Sequence, residues 1–305
     1  MVRKAQIITK HGMILVDFIE GKQLPFISAE SDILLRILPH QSNFPVKTKS
    51  AKRTTKVGYK EINSNCICIE KGTQAAISFD NAMSRMAKKS KSLLWLDPTF
   101  IPTECLASIF SKWLCDTKST ANLGLGIVIP SSENTRSKND SFRAWTPTSS
   151  GVLRKEFKEI ELPVWYPSLA REPKFLREIA EAITFFDVFP VVEFPQVISY
   201  AAEKGIASHH YVLDQYRTRT RNFIYLNNNS LAEALITLFG SFQALPRSGK
   251  MPRSVVITPG GRSISYLVTL LAGVFAGGIF ITPERESPYS KARNTWGFAI
   301  FKKCE

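Results

Sequence analysis

Histidine is scarce, with four in 305 residues, which thins the supply of both general bases and imidazole metal ligands. No Cys-x-x-Cys pair occurs. The five cysteines, Cys66, Cys68, Cys105, Cys115 and Cys304, are odd in number and scattered. That excludes the regular framework of a small disulfide-stapled domain and argues against a structural zinc site, even beside the adjacent His209 and His210. The N-terminus lacks the pattern of a secretory leader, so a reducing, cytoplasmic setting is expected.

The motifs that name a reaction are missing as well. There is no G-x-S-x-G elbow, no H-E-x-x-H and no G-x-G-x-x-G. The stretch "ALPRSGKM" (244–251) has the spacing of a P-loop, but Met251 stands where a hydroxyl must hold Mg²⁺ and a helical pattern precedes it where a strand is required. Asp97 ends a strand without an identifiable partner. Glu156 and Lys158, with Asp140 upstream, match a nuclease-like triplet only at the level of chance, and Glu284 and Glu286 are too few for a metal cage. No catalytic group and no cofactor can be assigned on these grounds.

One segment lacks charge altogether: "SISYLVTLLAGVFAGGIFITP", Ser263 to Pro283. Its length would span a bilayer, and Gly273 and Gly277 form a G-x-x-x-G pair. The competing reading is a buried helix ended by Gly277-Gly278, followed by the buried strand "IFIT". The strand-like "SVVIT" before it would complete a βαβ unit. The second reading is preferred, so a membrane partner is not expected.

What the chain does have is alternation. "KAQIITKHGMILVDFI" reads as a hairpin turning near His11-Gly12, and "NCICIEKGTQAAISF" as another turning at Lys71-Gly72. A short helix is expected from Asp80, closed by Lys88, Lys89 and Lys91. "SLLWLD", a helix over about 102–116 and "LGLGIVIP" form a βαβ pattern, with Leu106, Ile109, Phe110 and Trp113 on one helical face. After a polar stretch at 131–150, the alternation resumes with helices at about 173–186 and 195–205, a strand through "YVLDQYRTRTRNFIYLN", and a helix opened by the Ser230/Glu233 capping box. "RSVVIT", a helix over 264–276 and "GIFIT" follow, and "TWGFAIFKK" offers an edge strand. The expected fold is α/β: a mostly parallel sheet of βαβ units with helices on both faces and a β-rich N-terminal section. Two domains are expected, 1–135 and a Rossmann-like 151–305. Four strands end alike, in "WLDP", "IVIP", "VITP" and "FITP", and strand tips of this kind are where parallel sheets bind ligands.

The chain also has surplus positive charge. Forty Lys and Arg against 26 Asp and Glu give a net charge of +14. Nucleic acid is the commonest partner for such an excess. On a strand, Arg217, Arg219 and Arg221 share one face about 6.6 Å apart, a spacing that can follow successive phosphates of an extended chain. Tyr211, Tyr216 and Tyr225 lie close enough in sequence to offer stacking surfaces. Lys47, Lys49, Lys52, Arg53 and Lys56, within an acid-free run that continues to Lys60, form a second basic segment, and Arg247 and Lys250 a third.

These residues point to a nucleic-acid-binding protein that contacts the phosphate backbone, within a nucleoprotein complex of several proteins. Single strands or RNA are favoured, because no groove-reading helix is apparent. The alternative is an enzyme whose Rossmann-like half holds a nucleotide-like ligand. Its phosphate would sit at the corner formed by Gly260, Gly261, Arg262 and Ser263, at the start of a helix.

Overall fold

The computed structural model describes residues 2–20, 33–35, 45–46, 55–56, 67–69, 76–78, 92–96, 98, 103–115, 123–131, 142–147, 162–194, 207–216, 223–227, 230–245, 254–261, 263–283 and 294–304. They form a mixed α/β protein whose sheets combine parallel and antiparallel pairs, with five helices among the described residues. The chain divides into two compact units, Met1–Ser131 with Tyr289–Glu305, and Ser132–Pro288.

In the first unit, β1 (Val2–Thr9) and β2 (Gly12–Glu20) make the expected hairpin. The other strands are β3 (Ile33–Leu35), β4 (Pro45–Val46), β5 (Thr55–Lys56), β6 (Ile67–Ile69), β7 (Ala76–Ser78), β8 (Ser92–Leu96), β9 (Leu123–Ser131) and β17 (Asn294–Lys303). Eight of them form one sheet in the order β1-β2-β17-β9-β8-β3-β6-β7, while β4 pairs with β5 alone. Only β9–β8 and β8–β3 are parallel in the larger sheet. The tail is therefore not an edge strand. It runs antiparallel between β2 and β9, and its own alternation explains the position: Phe301 and Ala299 point into the core, registered with Val16 and Phe18 on one side and Leu125 and Ile127 on the other. Helix α1 (Thr103–Cys115) presents the expected apolar face, with Leu106, Phe110 and Trp113 fully buried. Phe110 meets Phe301 edge-on at 5.1 Å, and Trp113 Nε1 donates to the Leu123 carbonyl at 2.7 Å. Burial of each such side chain is worth about 1.5–3 kcal/mol.

The second unit holds β10 (Phe142–Trp145), β11 (Val164–Pro167), β12 (Asp187–Val188), β13 (Val191–Phe194), β14 (Ile224–Asn227), β15 (Val255–Thr258) and β16 (Ile279–Pro283). Its helices are α2 (Pro173–Ala182), α3 (His210–Gln215), α4 (Leu231–Gln243) and α5 (Ser263–Ala276). The order β10-β16-β15-β11-β12 is parallel except for β10, and β13 pairs in parallel with β14. A parallel bridge from Ser168 to Val191 joins β13 to the end of β11. Side chains alternate across the sheet. Trp165, Val256 and Ile281 pack with α2 and α3 through Phe175, Ile179 and Val212. On the other face, Tyr166 meets Phe242 of α4 edge-on at 4.5 Å.

Local sequence accounts for most of these elements. Ser230 Oγ accepts from the Glu233 amide, the first half of a capping box. The uncharged 263–283 segment is α5 followed by β16. A side chain at Gly273 would collide with Ile257 and Phe280, so this glycine lets helix and sheet approach closely. No described helix is long and apolar enough to cross a membrane.

Two further expectations change. Helix α2 stops at Ala182, and Ile183 is already extended, because the Ile-Thr-Phe-Phe run that follows is β-branched and aromatic and Phe186 donates its amide to the Pro163 carbonyl. Residues 210–215 form α3 rather than a strand. Val212 and Tyr216, one turn apart, both enter the core, and that packing outweighs their preference for strands. The helices expected from Asp80 and over 195–205 lie outside the described residues.

Candidate functional site

The four proline-ended strands fall in two different sheets, β8 and β9 in one and β15 and β16 in the other. In the second unit a fifth proline tip joins them, Pro167 of β11. The tips of β11, β15 and β16 lie in register there, with Pro167 opposite Thr258. Two indole–hydroxyl bonds sit at this end of the sheet: Trp165 Nε1 donates to Thr258 Oγ1 at 2.9 Å, and Trp145 Nε1 to Thr282 Oγ1 at 3.0 Å. All four side chains are buried, so each hydroxyl satisfies an indole N–H that would otherwise cost about 1–3 kcal/mol.

The glycine corner after β15 lies at the same end. Pro259 and Gly260 are buried, Gly261 has φ +99°, and α5 begins two residues later. Both glycines are required by contacts. A Cβ on Gly260 would come within 2.9 Å of Ser168 and of the Arg171 stem, and one on Gly261 would strike the Glu193 carboxylate. The positive φ at Gly261 disfavours any side chain independently.

Arg171 is the centre of this arrangement. It follows β11 and is 8% exposed. Its Nε donates to the Pro259 carbonyl, and its guanidinium lies 5.9 Å from both the Phe175 and Tyr266 ring centroids. His209 braces its backbone: the Arg171 carbonyl can only accept, so His209 Nε2 carries the proton of their 2.9 Å bond, leaving Nδ1 toward Ser208 Oγ at 3.2 Å. His209 is thus a strut, with both ring nitrogens engaged. The corner gathers charges of both signs, Arg171 and Glu193, beside the start of a helix.

Of the residues expected to bind phosphate, Gly260 and Gly261 stand at this corner. Arg262 lies outside the described residues, and Ser263 opens α5 with its side chain outside them. Arg217, Arg219, Arg221, Lys47, Lys49, Lys52, Arg53, Arg247 and Lys250 also lie outside. Lys56 is described only as a backbone position of β5, paired with Pro45. The three tyrosines differ. Tyr216 is 8% exposed and belongs to the core, so it offers no stacking face. Tyr211 is covered by the Arg177 guanidinium at 4.3 Å and donates its hydroxyl to Glu181, while Tyr225 is 49% exposed. The hydrogen bond from Arg177 also holds the Glu181 carboxyl below its usual range.

Sequence reading missed Ser168, Arg171 and Glu193, and weighed His209 only as a zinc ligand. The available signal was an arginine four residues past a proline-ended strand. Among the described residues, no group of three His, Cys, Asp or Glu side chains is placed to hold a metal ion.

Compared with protein-family models, with curated proteins and with solved structures, the chain matches none.

Proposed function

We propose that this chain binds nucleic acid through its phosphate backbone, as a subunit of a nucleoprotein complex. The observation that carries this reading is the net charge of +14. Such a surplus repels itself and is relieved when phosphates replace small counterions. The residues assigned to the contact are Arg217, Arg219 and Arg221, the 47–56 segment, and Arg247 with Lys250. Of the tyrosines, Tyr225 is the one whose ring is half exposed on a strand close after the arginines. The test is an electrophoretic mobility series with single- and double-stranded DNA and RNA across salt. Wild type should bind single strands with an affinity that falls steeply as salt rises. The Arg217/Arg219/Arg221→Ala triple variant should bind more weakly and with a shallower salt slope, by about 0.7 per lost phosphate contact on single strands. Equal binding by the two proteins removes the arginines from the interface.

A second reading is favoured by strand order. β12 lies beside β11, and the single Ser168–Val191 bridge carries β13 along the same side, so that β14-β13 continue the parallel order β12-β11-β15-β16. The chain moves outward from β11 through β13 to β14, then returns to β15 on the other side of β11. That order is similar to that of a doubly wound, Rossmann-like sheet, whose ligands bind at the tips where the order reverses, and this similarity supports the reading. Here the reversal lies between β11 and β15, where Arg171 and Gly260 meet. This supports a nucleotide-like ligand at the corner. Glu193 beside Gly261 suits the hydroxyl groups of a ribose better than a second anion. Calorimetric titration with nucleotides separates the two readings, because a pocketed nucleotide responds to salt far less than a backbone contact does.

A further inference from the structure

We propose that Cys115 is a base-assisted nucleophilic thiol, with His11 as its proton acceptor, and that it is a site of covalent modification by soft electrophiles. The two residues are 104 apart in sequence, yet Cys115 Sγ lies 3.7 Å from His11 Nε2, and the thiol is exposed. Both are held by ordered parts of the first unit. His11 sits in the β1–β2 turn, where Thr9 Oγ1 donates to the Gly12 carbonyl at 2.9 Å and accepts from the His11 amide at 3.1 Å. Cys115 is the last residue of α1, which Phe110 and Trp113 anchor to β17 and β9.

Among the described residues, the charges flanking the pair are Lys10 in the turn and Lys303 of β17, whose ammonium lies 5.1 Å from the Trp113 ring centroid, with Lys112 one turn before Cys115 on α1; Asp116, next to Cys115 in sequence, lies outside the described residues. Burial, then Lys10, then Lys303, hold His11 below its usual range. Its imidazole is therefore neutral at pH 7, with the Nε2 lone pair available when Nδ1 carries the proton. Lys112, in the last turn of α1, opposes the carbonyl pole at the end of that helix.

The step balances as a substitution. The Cys115 thiol proton passes to His11 Nε2, the sulfur electron pair forms a bond to the electrophilic carbon, and the leaving group departs with the electrons of its bond. The resulting imidazolium then returns its proton to solvent. With iodoacetamide the new bond is S–CH₂ and the leaving group is iodide. No oxidant or metal is required, and the inference is independent of the proposed ligands.

The experiment is alkylation of the full-length native chain by limiting iodoacetamide at pH 7.5, read site by site by mass spectrometry, with Cys304 as the internal reference. Cys115 should label on the order of tenfold more slowly in His11→Ala than in wild type, and equally slowly in His11→Gln, while Cys304 is unchanged. The turn keeps its backbone bonds to Thr9 in both variants. The proposal is overturned if Cys115 labels at the wild-type rate without the imidazole. It is equally overturned if Cys115 and Cys304 shift together, because that marks a general loosening of the fold.

Discussion

The two units solve the same problem by different means. In the first, a strand from the far end of the chain is inserted between β2 and β9, so the sheet is completed by residues almost 300 positions from its first strand. In the second, β11–β12, β13–β14 and β15–β16 pair strands consecutive in sequence while β10–β16 and β11–β15 join distant ones, and parallel strand tips gather a glycine corner, a buried arginine and a carboxylate. The contrast shows where sequence can be read locally and where it cannot. A parallel strand–helix succession announces itself by alternating periodicities, whereas the last antiparallel strand of a sheet declares only that it is a strand.

Removal of β17 should have the largest effect. Deleting 294–305 leaves β2 and β9 unpaired on facing sides and removes Phe298 and Phe301 from the core. Each aromatic alone is worth about 3–5 kcal/mol when truncated, against a total of about 5–15 kcal/mol for a typical domain. Limited proteolysis should then digest the first unit and leave a resistant fragment from within 132–288. Survival of both units would show that β17 is dispensable and the contrast unfounded.

A smaller effect sharpens the second unit. Gly261→Ala should destabilise by about 1–3 kcal/mol, from backbone strain at φ +99° and from collision with Glu193. Combining it with Glu193→Ala should recover the collision part and leave the strain, so a double-mutant cycle by denaturant melting separates the two. Strict additivity would mean that the carboxylate does not crowd the corner.

Ser230→Ala tests a feature that is local in both sequence and structure. Loss of the hydroxyl that accepts from Glu233 should cost about 1 kcal/mol, read as a lower denaturation midpoint with an unchanged slope. The smallest effect belongs to Arg177→Gln. Its exposed, solvent-screened pair with Glu181 and its cover over Tyr211 should together leave the denaturation midpoint close to that of wild type. A larger loss would make the α2–α3 surface a structural element of the second unit rather than a solvated face.

Legibility followed the same division. The Ser230 cap, the apolar face of α1 and the choice of a buried α5–β16 over a membrane span each rest on residues within one or two turns of each other. Tyr216 was misjudged because its neighbours in sequence are polar arginines and threonines, while its neighbours in space are Phe185 and the core around Trp165. Arg171 was overlooked because nothing near it in sequence marks it as buried. Its partners, Pro259 and Tyr266, arrive from about ninety residues away.

By itself, the order of residues determined the local elements of this protein, their caps and breaks, and its cationic surplus, because periodicity, propensity and charge are properties of short stretches or of simple sums. Tertiary structure alone decided which strand became central, which tyrosine was buried, and that Arg171 and Glu193 would meet the glycine corner. Those outcomes depend on register and close packing between distant segments, and such pairings leave no trace in the spacing of either partner.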